Sequence, residues 1–150
     1  MLTQVEADGI LVMAKTFRSS RTISLHVGAR SAHDLDPVDR LDLPQNLLLD
    51  VHRASIRLTK LKLQHRGAGI IVLARLDIDG PGHTNPDGVD ISGTHLHLFR
   101  EGFEDKWAEE IDKTEWTDLT DMVTTVQDFC GRFHISNVPP FSLPMQPIVP

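Results

Sequence analysis

The sequence predicts an α+β fold, an antiparallel sheet of about five strands packed with an N-terminal and a C-terminal helix. Residues at helical spacing occur near both ends of the chain. Between them lie short segments in which apolar and polar residues alternate. Most of these segments are joined by short links, which suit antiparallel neighbours rather than the long crossovers of a parallel sheet. The 150 residues are the usual size of one domain.

Thr3 followed by Glu6 has the spacing of a capping box, and Ala7, Ile10, Ala14 and Phe17 then share a helical face. A first helix is predicted over 3–15, weakened by Gly9. Ile23, Leu25 and Val27 alternate with Ser24 and His26 and predict a strand. Residues 31–44 hold Asp34, Asp36, Pro37, Asp39 and Pro44 and read as a loop. Residues 46–51 are a short apolar run and a second strand.

The clearest element is a hairpin. Residues 58–66 and 69–78 flank Gly67-Ala68, a plausible two-residue turn. Pairing outward from it sets Leu63 opposite Val72 and Leu61 opposite Ala74, and puts Lys60, Lys62, Gln64, Arg75 and Asp77 on the other face. A glycine-rich loop fills 80–93, and a strand over 94–100 alternates His95, His97 and Phe99 with Leu96 and Leu98. Met122, Val126, Phe129 and Phe133 form one stripe of a helix over 117–133. The domain is expected to span 1–137. Residues 138–150, with Pro139, Pro140, Pro144, Pro147 and Pro150, form an extended tail too apolar to stay in solvent, expected against the domain or a second subunit with Phe141 in a pocket.

Composition narrows the function classes. A net charge of −6 works against broad, non-specific nucleic-acid binding. The charge is unevenly spread: residues 53–75 carry basic side chains and no acid, whereas 101–121 are strongly acidic. The single cysteine, Cys130, excludes an internal disulfide, fits a reducing compartment and reads as a small buried hydrophobe between Phe129 and Phe133. No apolar run approaches the roughly 20 residues of a membrane span, and the N-terminus has no basic leader, so a cytoplasmic protein is expected.

The chemistry concentrates between Lys60 and Trp107. If Leu96 and Leu98 face the core, His95 and His97 face the open side with Arg75 and Asp77, and His83 can fold over them from the loop. This makes Asp77, His83, His95 and His97 the candidate catalytic residues, with proton transfer near neutral pH the role of the histidines. Lys60, Lys62, Gln64 and Arg75 are the candidate substrate-binding residues, suited to phosphate. This reading needs neither metal nor cofactor. A second reading takes His95-x-His97 with Glu101 as half of a cupin-like metal motif. A third takes the chain as a non-catalytic, protein-binding regulator or inhibitor of bacterial or phage origin, its glycines and aspartates serving turns. Trp107 reads as core or sheet edge.

The spacing Arg75-x-Asp77, His83, His95-x-His97 resembles the small TumE-type toxins of bacterial toxin–antitoxin modules, which are distantly RelE-like. The phrase GPGHTNPDG…THLHLFREGFEDKWA is also similar to uncharacterised small bacterial and phage proteins. The resemblance covers about residues 58–108. It implies a small antiparallel sheet with flanking helices, RNA as substrate, and a protein partner such as an antitoxin or host factor. A homodimer is compatible with it, and a membrane partner is not expected.

Overall fold

The computed structural model describes residues 1–39 and 46–145. The capping box forms: Thr3 Oγ1 accepts from the Glu6 amide at 3.2 Å, and the Glu6 carboxylate accepts from the Thr3 amide at 2.8 Å. It starts α1 (Gln4–Val12), whose Ala7 and Ile10 are buried. The strands that follow are β1 (Lys15–Phe17), β2 (Ile23–Ser24), β3 (Arg30–Pro37), β4 (Leu47–Arg53), β5 (Leu61–Gly67) and β6 (Ile71–Ile78). Next come β7 (His83–Thr84), β8 (Asp90–Ile91), β9 (His95–Leu98) and β10 (Ala108–Glu110). Helix α2 (Met122–Arg132) is capped by the Asp121 side chain, and β11 (Ile135–Ser136) and β12 (Phe141–Ser142) close the described chain.

Eight strands form the main sheet in the order β10-β9-β6-β5-β4-β3-β1-β11, antiparallel throughout except for the parallel β1–β11 pair. The α+β class and the two flanking helices are as the sequence predicts, and the sheet is larger. Four of its strands, β1, β3, β10 and β11, are not among those expected, and β1, β10 and β11 have three, three and two residues, too few for a period of two to register. The strand expected over Ile23, Leu25 and Val27 is only the two-residue β2, which lies outside the main sheet and pairs with β12. The first half of the expected loop over 31–44 is β3, while its last residues fall among 40–45, outside the described residues. In β3, buried His33, Leu35 and Pro37 alternate with Asp34 and Asp36, and Arg18 pairs with Asp36 at 2.9 Å. Pairing along β4 thus outweighs the turn preference of these acids.

One sheet face is apolar. Leu35, Leu47, Leu49, Val51, Leu61, Leu63, Leu76 and Leu96 meet Ala7 and Ile10 of α1 and Val126, Phe129, Cys130 and Phe133 of α2 in one core. Burial pushes the Cys130 thiol up to about 12, so it behaves as a hydrophobe.

The β5–β6 register corrects the expected hairpin. Leu61 pairs with Ile78 and Leu63 with Leu76, four positions from the predicted partners. The turn spans Ala68, Gly69 and Ile70, with Ala68 and Gly69 at positive φ. A three-residue connection alone shifts the pairing by an odd number and would put Lys62 on the face of Leu76. The bulge between His65 and Arg66, where β6 carries Leu73 as an extra residue, adds one more step. The total is even. Lys62 therefore pairs with Asp77, and Gln64 with Arg75, on the face away from the core.

Two unusual groups lie within the core. Lys15 is fully buried, donates to the Ile10 and Leu11 carbonyls at the end of α1, and makes no ion pair among the described residues. Desolvation lowers it to about 7. Buried His65 donates from Nδ1 to Leu48 O at 3.1 Å, and desolvation followed by nearby Lys15 lowers it to about 3. Further along, β12 pairs in parallel with β2, setting Phe141 beside Ile23 and packing it against the core. Residues 146–150 of the expected tail lie outside the described residues.

Two predictions follow from glycine and lysine placement. A Cβ on Gly93 would lie 2.1 Å from Gly80 O, whereas one on Gly9 would meet nothing within 4 Å. Gly93→Ala should cost roughly 2 kcal/mol and several degrees of melting temperature, and Gly9→Ala should gain up to about 1 kcal/mol. Equal melting temperatures for both variants would contradict this packing. For Lys15, the folded value of about 7 lies below the unfolded value of about 10.4. Below pH 7 both states hold the proton and the fold bears a buried charge; between about pH 7 and 10 only the fold releases it, so stability rises with pH. The melting temperature of the wild type relative to Lys15→Met should rise across that window. A constant difference would mean that Lys15 meets an anion or water.

Candidate functional site

The site begins as a piece of strand pairing. On adjacent antiparallel β6 and β9, Asp77 lies opposite His95 and Arg75 opposite His97. Side chains alternate along each strand, so these four share one face while Leu76 and Leu96 enter the core. Arg75 organises the group: its Nε donates to Asp77 Oδ2 at 3.0 Å, its Nη1 to Asp105 Oδ2 at 2.7 Å, and its Nη2 to His97 Nε2 at 2.9 Å.

Backbone carbonyls fix the protons of the two strand histidines. Asp105 O lies 2.7 Å from His97 Nδ1, and Ser92 O accepts from His95 Nδ1. A carbonyl only accepts, so each Nδ1 carries hydrogen. His97 Nε2 is then a lone pair, consistent with its bond from Arg75. Burial and then the Arg75 guanidinium push the His97 imidazole down to about 4, so it is neutral at physiological pH. His95 Nε2 and His97 Nε2 lie 3.3 and 3.5 Å from Asp77 Oδ2.

The expected open face is a correction. His95 and His97 point away from the core, but they are 3% and 0% exposed. The loop over 80–93 folds back over them, closed at its base by the Gly80 amide donating to Gly93 O at 2.9 Å. Gly93 accepts that approach because it has no Cβ. β7 and β8 pair within the loop and carry His83 to ring-centroid distances of 4.7 Å from His97 and 5.8 Å from His95. His83 remains half-buried, held by a bond from Nε2 to Lys106 O at 2.7 Å. Asn85 ties the loop to β10: Nδ2 donates to Ala108 O at 2.9 Å and Oδ1 accepts from Ala108 N at 2.8 Å.

All four candidate catalytic residues, Asp77, His83, His95 and His97, thus come together with Arg75. The other candidate binding residues lie further along the same face. Gln64 is opposite Arg75 and donates to Asp50 at 3.0 Å; Asp50 also pairs with Arg66. Lys62 is opposite Asp77, and His52 and then Arg30 continue that row across β4 and β3. Lys60 precedes β5 and passes Gly80. Arg30, Lys60 and Lys62 make no ion pair among the described residues, and they all surround His52. Desolvation, then Arg30, Lys62 and Lys60, lower the His52 pKa.

Glu101, the carboxylate of the expected cupin-like motif, is elsewhere. It accepts from the Gln4 amide at 3.1 Å, and Asp77 takes the place beside the histidines. Asp105 and Asn85 are site residues without a sequence signal, since contacts to Arg75 and Ala108 span 30 and 23 residues. Trp107 is half-buried, with Arg100 stacked 4.2 Å from its ring centroid. A cavity lined by Arg53, Arg57, Leu61, Ile78, Met122 and Leu143 among others is bordered by none of the three histidines. No helix among the described residues is long and apolar enough to cross a membrane.

No curated protein and no solved structure matches the chain. One family model does, over residues 2–135, a span that includes every residue of the site described above. The chain therefore belongs to the family described as a family of unknown function (DUF6978).

Proposed function

We propose that this protein is an RNA-directed phosphodiesterase of the toxin type, with its reaction centre at Arg75, Asp77, His83, His95 and His97. The observation that carries the reading is the continuity of this centre with a row of basic side chains, of which Arg30, Lys60 and Lys62 make no ion pair among the described residues. Lys62 lies across from Asp77, followed by His52 and Arg30, with Lys60 alongside. An acid–base cluster joined to a cationic row fits a substrate with repeating phosphates. The row also answers the acidic net charge, because binding depends on the local field rather than the total. The similarity of the 58–108 segment to TumE-type toxins favours RNA as the substrate.

RNA carries its own nucleophile. Attack of a 2′-hydroxyl on the adjacent phosphorus forms a 2′,3′-cyclic phosphate and breaks the bond to the 5′-oxygen, which leaves as a hydroxyl after protonation. The protein must move a proton and stabilise negative charge on phosphorus. His83 is the histidine with solvent access and moves the proton. Lys62 and Arg30 hold phosphates, and the Arg75 centre supplies positive charge close to the reacting group. For the strand to reach His95 and His97, the loop at 80–93 must release the Asn85 bonds to Ala108. A protein antitoxin that covers this face would silence the activity, and a homodimer would extend the cationic row.

Purified protein incubated with end-labelled single-stranded RNA should cleave it, with His83→Ala roughly 100-fold slower or worse. Lys62→Ala should weaken RNA binding more at low salt than at high salt. Induced expression in a bacterium should arrest growth with RNA decay, relieved by His83→Ala or His97→Ala. Intact RNA, normal growth and a stable complex with a host protein would instead identify a non-catalytic regulator.

A further inference from the structure

The geometry points to a divalent transition-metal site formed by Asp77, His95 and His97, in which Arg75 occupies the place of the ion. The site lies at the inner side of the proposed reaction centre, and it stands whether or not RNA is the substrate.

The first support is protonation. Ser92 O and Asp105 O take the Nδ1 hydrogens of His95 and His97, so the Nε2 atoms are left to face Asp77 Oδ2. Metal-binding histidines are fixed in this manner, the far nitrogen donating to a carbonyl or carboxylate. The placement is rigid because both histidines sit on β9, between β6 and β10, and Asp77 is paired directly with His95.

The second support is distance. Asp77 Oδ2 lies 3.3 Å from His95 Nε2 and 3.5 Å from His97 Nε2, and the three atoms lie within 4.8 Å of one another. With the hydrogens on Nδ1, neither Nε2 donates to Asp77 Oδ2, so no hydrogen bond sets these separations. A tetrahedral ion with ligand bonds of about 2.0–2.2 Å holds its ligand atoms roughly 3.4 Å apart. The two separations from Asp77 Oδ2 match that spacing.

The third support is charge. The Arg75 guanidinium already touches two of the three ligand atoms, His97 Nε2 at 2.9 Å and Asp77 Oδ2 at 3.0 Å. This is a cation site filled by the protein's own cation. Asp105 holds the opposite side of the guanidinium at 2.7 Å. Arg75 can give up the first two contacts and keep its ion pair with Asp105.

Two imidazoles and one carboxylate suit zinc and its neighbours rather than calcium or magnesium, which prefer oxygen alone. Three protein ligands leave a position open for water. His83 stands over the two inner rings, and its Nδ1 has no hydrogen-bond partner among the described residues. It is placed to complete the shell or to hold that water.

The full-length protein, treated with chelator and then titrated with cobalt(II) as a visible probe for zinc, should develop d–d absorption saturating at one ion per chain. Zinc should remove the colour. His95→Gln and His97→Gln should each weaken binding roughly tenfold or more. Arg75→Gln should strengthen it, since the competing cation is gone. Should Arg75→Gln fail to fold, Arg75→Lys, which cannot make the forked contact, is read in its place. Absence of d–d bands, bands unchanged in His97→Gln, or weaker binding in a folded Arg75 variant would each overturn the site. Because the absorption is read without RNA, failure here is separate from failure of the nuclease reading.

Discussion

One extra residue in β6 decides which side of the sheet carries the site. Leu73 is the residue that the bulge inserts opposite His65 and Arg66, and it restores the phase that the three-residue turn disturbs. Without that step, Arg75 and Asp77 would face α1 and α2, and two charges would replace Leu76 and Ala74 in the core. With it, the strand can bury Leu73, Leu76 and Ile78 while presenting Arg75 and Asp77 to β9. Burial and chemistry therefore impose the same register. The sheet cannot slip to a neighbouring odd alignment without losing both.

From that alignment the electrostatics follow. Arg75 is surrounded by two carboxylates and a neutral imidazole, and its three contacts use both the terminal nitrogens and Nε. Such a forked group holds its neighbours in fixed positions, which a lysine could not do. The Asp105 residue serves twice, with its carboxylate on Arg75 and its carbonyl on His97. The turn around Arg100–Glu104 delivers it to this spot, with Glu104 at positive φ. The contrast with Lys15 is instructive. Lys15 is buried beneath carbonyls with no carboxylate partner among the described residues, and it is driven towards neutrality, whereas the Arg75 guanidinium is met by two anions.

Much of this was legible in the chain, and the parts that were not depend on contacts between residues distant in sequence. The Thr3–Glu6 cap, the α2 stripe and the alternation His95-Leu96-His97 are local patterns, and each has its structural counterpart. The grouping of Lys62, Gln64, Arg75 and Asp77 also holds, although the pairing partners differ, because faces depend only on whether the shift is even. Leu73 gives no signal of a bulge, standing in a run of apolar neighbours. The burial of His95 and His97 depends on Gly80 meeting Gly93 and on Asn85 meeting Ala108, contacts that spacing cannot reveal. β3 was hidden as well: Asp34, Asp36 and Pro37 favour turns locally, and only pairing with β4 and β1 overrides them.

Asn85 has one more effect. β10 is the last strand on its side of the sheet, and the outward amide and carbonyl of such a strand are where a second chain would add by backbone pairing. At Ala108 both groups are taken by a side-chain amide, which imitates one residue of a further strand and then ends. The sheet is terminated at that point from within its own chain. Growth into a continuous ribbon with other copies is blocked at Ala108, and the same two bonds that seat the His83 loop also guard against aggregation through this edge.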